Sequence, residues 1–140
     1  MAITYVPRPM PTLGGDAQYL QQELANISQS IKTITAQDSW HPLPYVNGWV
    51  DFDTNLYGPA GYRKLSNGLV VLRGLVKNGS AAGIATLPAG YRPGIQLLFC
   101  VYTSPNTPCR MDISTAGGIS HTGGSSVWIS LDGITFIAEK

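Results

Sequence analysis

From Ala17 to Ile34 the apolar residues Ala17, Leu20, Leu24, Ile27, Ile31 and Ile34 recur at steps of three and four. That spacing sets them along one seam of a helix, as wrapped helices require. The other faces carry Gln18, Gln21, Gln22, Glu23, Asn26, Ser28, Gln29, Ser30 and Lys32, which are polar and nearly uncharged. Asp16 is a suitable N-cap, and the pattern predicts a coiled-coil helix over 16–36, about 30 Å long. Ile at both seam positions, Ile31 and Ile34, shifts parallel coils from dimers toward trimers, so the expected stem is trimeric. The same stripe also fits the core-facing side of a helix packed on its own sheet. Fewer than three heptads are marginal alone, so further contacts must hold the chains together.

After Trp40 the heptads give way to short alternating or wholly apolar runs separated by Gly, Pro and Asn, the signature of a β domain. Expected strands are 49–52, 62–65, 69–76, 84–87, 95–103, 109–114, 119–121, 127–131 and 134–138. Asn67-Gly68 and Asp132-Gly133 are read as type I′ hairpin turns. Folding about the second pairs Leu131 with Ile134 and Ile129 with Phe136, keeping four apolar side chains on one face. Residues 115–126 read as a short hairpin and a flexible loop. The fold class expected is mainly β: an antiparallel, jelly-roll-like β-sandwich head over 45–140, joined by a linker at 37–44 to the trimeric helix. Residues 1–15, where Pro7, Pro9 and Pro11 alternate with other residues before Gly14-Gly15, form an extended arm.

The chain has 140 residues, 12% of them charged, and a net charge of +1. No broad basic field exists to attract nucleic acid or an anionic membrane. No stretch has the length of a signal peptide's apolar run or of a membrane span, so synthesis in the cytoplasm and no membrane insertion are expected. Cys100 and Cys109 flank a predicted hairpin loop, 104–108. Matching Ile95, Leu97, Phe99 and Val101 to Cys109, Met111 and Ile113 puts the two thiols on opposite faces, because pairing them directly would set Phe99 against Arg110 and Leu97 against Asp112. Two free thiols are expected, Cys109 the more buried.

Asn47-Gly48-Trp49-Val50, then Tyr62-Arg63-Lys64 leading to the run 68–77, then Leu87-Pro88-Ala89-Gly90-Tyr91-Arg92-Pro93 and the closing 128–134 segment resemble the C-terminal β domain of tailed-bacteriophage tail-fibre and appendage proteins. The likeness covers about two-thirds of the sequence. It implies a homotrimeric virion fibre with an N-terminal anchor, a short helical stem and a distal β head that touches the host surface. Tail fibres are usually far longer, which leaves attachment at capsid, neck or baseplate open.

Catalytic chemistry has little to work with. His41 and His121 lack metal-ligand spacing with each other or with the cysteines, and no serine occupies a nucleophile elbow. Asp51 and Asp53 form the one close carboxylate pair of the kind glycan cleavage needs, but they fit better as a solvated strand end capping a turn before Asn55. Arg110 and Asp112 alternate on one strand as an exposed pair. No enzyme, cofactor or metal is expected. Binding is more plausible, through aromatics among Trp40, Tyr45, Trp49, Tyr57, Tyr62, Tyr91, Tyr102 and Trp128, or through the loops at 104–108 and 120–126. Candidate surface contacts are Pro105, Asn106, Thr107, His121 and Thr122. In the arm, Tyr5, Val6, Pro7, Pro9, Met10, Pro11 and Leu13 offer a pre-extended segment for docking on another virion protein. The expected partners are thus the chain itself as a homotrimer, a virion protein and a host surface glycan. The expected function is a non-enzymatic virion fibre, made in the host cytoplasm. Two alternatives stay open, a head or neck decoration fibre without receptor role and a surface-glycan-binding adhesin.

Overall fold

The chain alternates between two antiparallel sheets, and the residues that let it cross from one to the other shape the whole β region. A computed structural model describes residues 4–7 and 16–140 and divides the chain into two units, 1–37 and 38–140. In the first unit, α1 spans Asp16–Thr35, with Asp16 in its first turn and Lys32 in its last, each favourable to the helix dipole. Its seam side chains Leu20, Leu24, Ile27, Ile31 and Ile34 are exposed, at 39–64%. Glu23, read from sequence as an outward polar residue, is instead the buried residue of the helix, and its carboxylate accepts a hydrogen bond from the Tyr5 hydroxyl.

In the second unit, β1 (His41–Pro42), β3 (Gly61–Lys64), β4 (Leu69–Arg73) and β11 (Thr135–Ile137) form a sheet in the order β1-β3-β4-β11. The other sheet runs β2-β5-β10-β7-β8-β9-β6, with β2 at Val50–Asp51, β5 at Leu75–Lys77, β6 at Gly83–Thr86, β7 at Leu97–Thr103, β8 at Thr107–Ile113, β9 at Gly118–Thr122 and β10 at Ile129–Ser130. Val70, Leu72 and Phe136 from the first sheet and Met111, Ile113, Ile119 and Ile129 from the second belong to one buried cluster. Alternation explains which residues point inward: β4 buries Val70 and Leu72 and leaves Leu69, Val71 and Arg73 on its outer side.

Four sequence expectations change. The single strand 69–76 is two strands in different sheets, because Gly74 takes a φ of +99° that ends β4 and turns the chain into β5. Asp132-Gly133 does not close a hairpin: β10 lies beside β5 and β7, while β11 pairs with β4 (Thr135 opposite Val71, Phe136 opposite Val70). Leu131, Ile134, Ile129 and Phe136 still share the core, but across a corner between sheets. Asn67-Gly68 does connect neighbouring strands, yet only Gly68 has a positive φ, so the turn is a three-residue loop closed by Leu65 and Leu69. Strand β1 falls in the stretch read as a linker.

The β7–β8 register sets Leu97 opposite Ile113, Phe99 opposite Met111 and Val101 opposite Cys109. Cys100 consequently faces Arg110 on the outer side, and both cysteines are free, Cys109 buried and Cys100 exposed.

Candidate functional site

The tip of the β7–β8 hairpin is built by Ser104, Pro105 and Asn106, with a cis Ser104–Pro105 peptide and Asn106 at φ +70°. Asn106 N–H donates to the Thr103 carbonyl at 2.8 Å, tightening the turn. Pro105, Asn106 and Thr107 are exposed there. The second predicted loop comes to the same end of the sheet through one side chain. Thr103, 1% exposed, donates its hydroxyl to the Trp128 carbonyl at 2.8 Å and accepts from Ser125 N–H at 2.9 Å. Ser104 N–H adds a bond to the Trp128 carbonyl at 3.1 Å. Loops 104–106 and 123–128 are therefore held side by side, with Val127 exposed between them.

Of the second loop's candidates, Thr122 is exposed opposite Arg110, whereas His121 has a structural task. Its ring meets Trp49 edge-on at 5.5 Å and its Nδ1 accepts Gly124 N–H at 3.2 Å, which fixes the neutral tautomer with the proton on Nε2. Burial pushes its pKa below the usual histidine value.

Down the outer side of β7 from the tip run Tyr102, Cys100 and Leu98, facing Pro108, Arg110 and Asp112. Tyr102 (62% exposed) and Leu98 are mostly exposed, and a groove of about 400 Å³ follows Leu98, Cys100, Pro108 and Arg110. Arg110 forks onto Asp112 with bonds of 2.9 and 2.8 Å, and this pairing raises the guanidinium pKa further. Sequence alone places Tyr102 among many aromatics; its outward position on β7, opposite Pro108, is what singles it out. Trp49, by contrast, is buried with its indole N–H on the Ala81 carbonyl, and Tyr62 is core.

The polar cluster richest in titratable groups lies elsewhere, where the chain enters the β unit. Asp38 accepts from the Tyr91 hydroxyl at 2.7 Å and the Lys64 N–H at 3.2 Å and pairs with His41 Nε2 at 2.8 Å. Burial works against the Asp38 carboxylate, but these hydrogen bonds outweigh it and hold the pKa below the usual aspartate value. Burial and the Asp38 carboxylate push Tyr91 up to about 12. The arrangement clamps residue 38 and strand β1 to the loop at 88–92. Asp51 and Asp53 are also committed to structure: Asp51 accepts from Tyr45 hydroxyl at 2.5 Å and Ala60 N–H at 3.1 Å, and Asp53 caps Asn55 and Leu56 N–H. Burial and the Asp51 carboxylate raise the Tyr45 pKa. Among the described residues no cluster of His, Cys, Asp or Glu could hold a metal ion, and no helix is long and apolar enough to cross a membrane.

Of the arm residues named from sequence, Tyr5, Val6 and Pro7 are described, Val6 strongly exposed, and Pro9, Met10, Pro11 and Leu13 lie outside the described residues.

No family model and no curated protein matches the chain by sequence. Among solved structures it is similar to the receptor binding protein (gp15) of Listeria phage PSA, with a TM-score of 0.74 and 22% identity over 94% of this chain and 82% of that one.

Proposed function

We propose that this protein is a non-enzymatic bacteriophage virion fibre: a homotrimer whose N-terminal arm docks on the particle, whose α1 helices pack along their apolar seams, and whose β unit contacts the host surface. The observation that carries this reading is a fold likeness to a phage receptor binding protein that extends over nearly the whole chain. Two features support its parts. Five large apolar side chains form one exposed stripe along the helix, and a trimer would cover them. The paired loops at 104–106 and 123–128, with Tyr102 beside them, offer exposed positions on a rigid scaffold, the arrangement recognition surfaces use.

The test is adsorption. Purified protein added to host cells before the phage that carries it is expected to reduce adsorption in proportion to its concentration, and an Asn106→Lys, Tyr102→Ala variant to lose that effect while keeping its fold. Undiminished adsorption at saturating protein would overturn the receptor role and favour a decoration fibre. Protein deleted of residues 1–15 is expected to compete as well as the full chain but to be absent from assembled particles.

A further inference from the structure

We infer that Trp40, Arg63 and Arg73 form a phosphate-binding site on the outer face of the four-stranded sheet, and that its ligand is a phosphate group carried by a host-surface glycan. The identity of the glycan as the source rests on the receptor-contact reading above; the site itself does not.

The site follows from register. Gly61 stands opposite Arg73, and Arg63 opposite Val71, so both arginines project from the outer face as diagonal neighbours across β3 and β4. Gly61 leaves room between them: a Cβ there would lie 2.6 Å from the His41 carbonyl and 3.7 Å from the Trp40 ring. The Trp40 indole packs beside Gly61, with the Arg73 guanidinium 4.0 Å and the Arg63 guanidinium 4.7 Å from its centroid. Two cations therefore share one ring.

What the ring does not supply is an acceptor. Arg73 donates from Nε to the Pro59 carbonyl at 3.3 Å, and the Arg63 side chain has no hydrogen bond among the described residues, its Nε being buried without a partner. Neither is in an ion pair among the described residues. The outward positions of the neighbouring strands are Leu69, Val71, Thr135 and Ile137, none of them acidic, and Asp38 is taken up by His41, Tyr91 and Lys64. Stacking fixes both guanidiniums and, with Arg63 Nε buried and Arg73 Nε on Pro59, leaves their Nη groups for an incoming anion, so less side-chain freedom is lost on binding. One carboxylate is satisfied by a single guanidinium fork. A phosphate presents oxygens in several directions and can engage both, which is why phosphate is the fitting ligand.

The full-length protein, ¹⁵N-labelled, would be titrated with sodium acetate, inorganic phosphate and a bis-glycerol phosphodiester at constant ionic strength, following the Arg63 and Arg73 Nε–H and Trp40 indole N–H signals. All three signals should move together with both phosphates, and acetate should bind at least about tenfold more weakly. Arg63→Gln and Arg73→Gln, each at an outer, half-exposed position, should retain the wild-type amide dispersion and weaken binding by about tenfold or more. Shifts no larger than those in sodium chloride, or equal shifts in the variants, would overturn the site. Binding of inorganic phosphate with none of the diester would mark an adventitious ion only and overturn the glycan assignment. Because this readout uses no cells, a failed adsorption assay with intact diester binding would reject the receptor reading and leave the site standing.

Discussion

Thr103 shows how much one side chain decides here. Its hydroxyl is buried, donates to the Trp128 carbonyl at one end of the 123–128 loop and accepts from Ser125 N–H within it, so no water is at hand to replace it. Thr103→Val keeps the shape, orphans the Ser125 N–H and leaves the Trp128 carbonyl only its bond from Ser104 N–H; it is expected to cost about 1–3 kcal/mol in denaturant unfolding and to speed amide exchange at Ser125 first. At Gly79 the limit is space instead of bonding, since an added Cβ would fall 1.8 Å from the Trp49 indole. Gly79→Ala should therefore lower stability by about 1–3 kcal/mol, read from a shifted urea midpoint. His121 gives the pH dependence. Burial holds its folded-state pKa below the unfolded value of 6.5, so as pH falls through 6.5 the unfolded chain takes up the proton first and stability drops. His121→Asn, which keeps an acceptor for Gly124 N–H, should flatten that part of the stability profile between pH 7.5 and 5.

At the scale of elements, the two crossings between sheets hold each other. Gly74 N–H donates to the Asp132 carboxylate at 2.7 Å and Leu131 N–H donates to the Gly74 carbonyl at 2.8 Å, so the β4–β5 bend and the β10–β11 corner are fastened together. Asp132→Ala should lose about 1–3 kcal/mol in urea unfolding, with Asp132→Asn, which keeps a carbonyl acceptor, recovering most of it. This fastening is also where the sequence stops being legible. Alternation placed Leu131, Ile134, Ile129 and Phe136 correctly in the interior, because burial is a property each residue reports locally. It could not tell a hairpin from a corner, since Asp-Gly serves either and the choice depends on a partner 58 residues away. The same holds for the unbroken apolar run 69–76, whose division at Gly74 needs the contact of that glycine with Ala60, too close for any Cβ. Loop candidates Pro105, Asn106 and Thr107 were readable from the turn composition between two apolar runs. That Thr103 would gather the second loop beside them was not, because nothing about a lone threonine in a strand marks it as a tie.

For the molecule as a whole, apolar side chains are distributed unevenly between the two units. The buried cluster lies wholly between Leu43 and Phe136, inside the unit of residues 38–140, and draws on both sheets. A fragment of residues 38–140 is accordingly expected to fold alone, with dispersed amide signals and a cooperative urea transition. The helix is the opposite case: twenty residues whose seam is exposed at 39–64% cannot be stable in water through propensity alone. In the proposed trimer, the seams of three copies cover one another and supply what propensity lacks. Light scattering at low micromolar concentration should therefore give the mass of three chains for the full protein. Replacing Ile31 and Ile34 with Asp puts two charges per chain on the seam and should reduce the mass toward one chain while the β unit stays folded, if the helices carry the association. A trimer that survives this double substitution would instead place the decisive contacts on the β unit, where the exposed Leu98, Cys100 and Tyr102 side of β7 is the first surface to alter. A monomeric wild type would reject the trimer and, with it, the fibre stem.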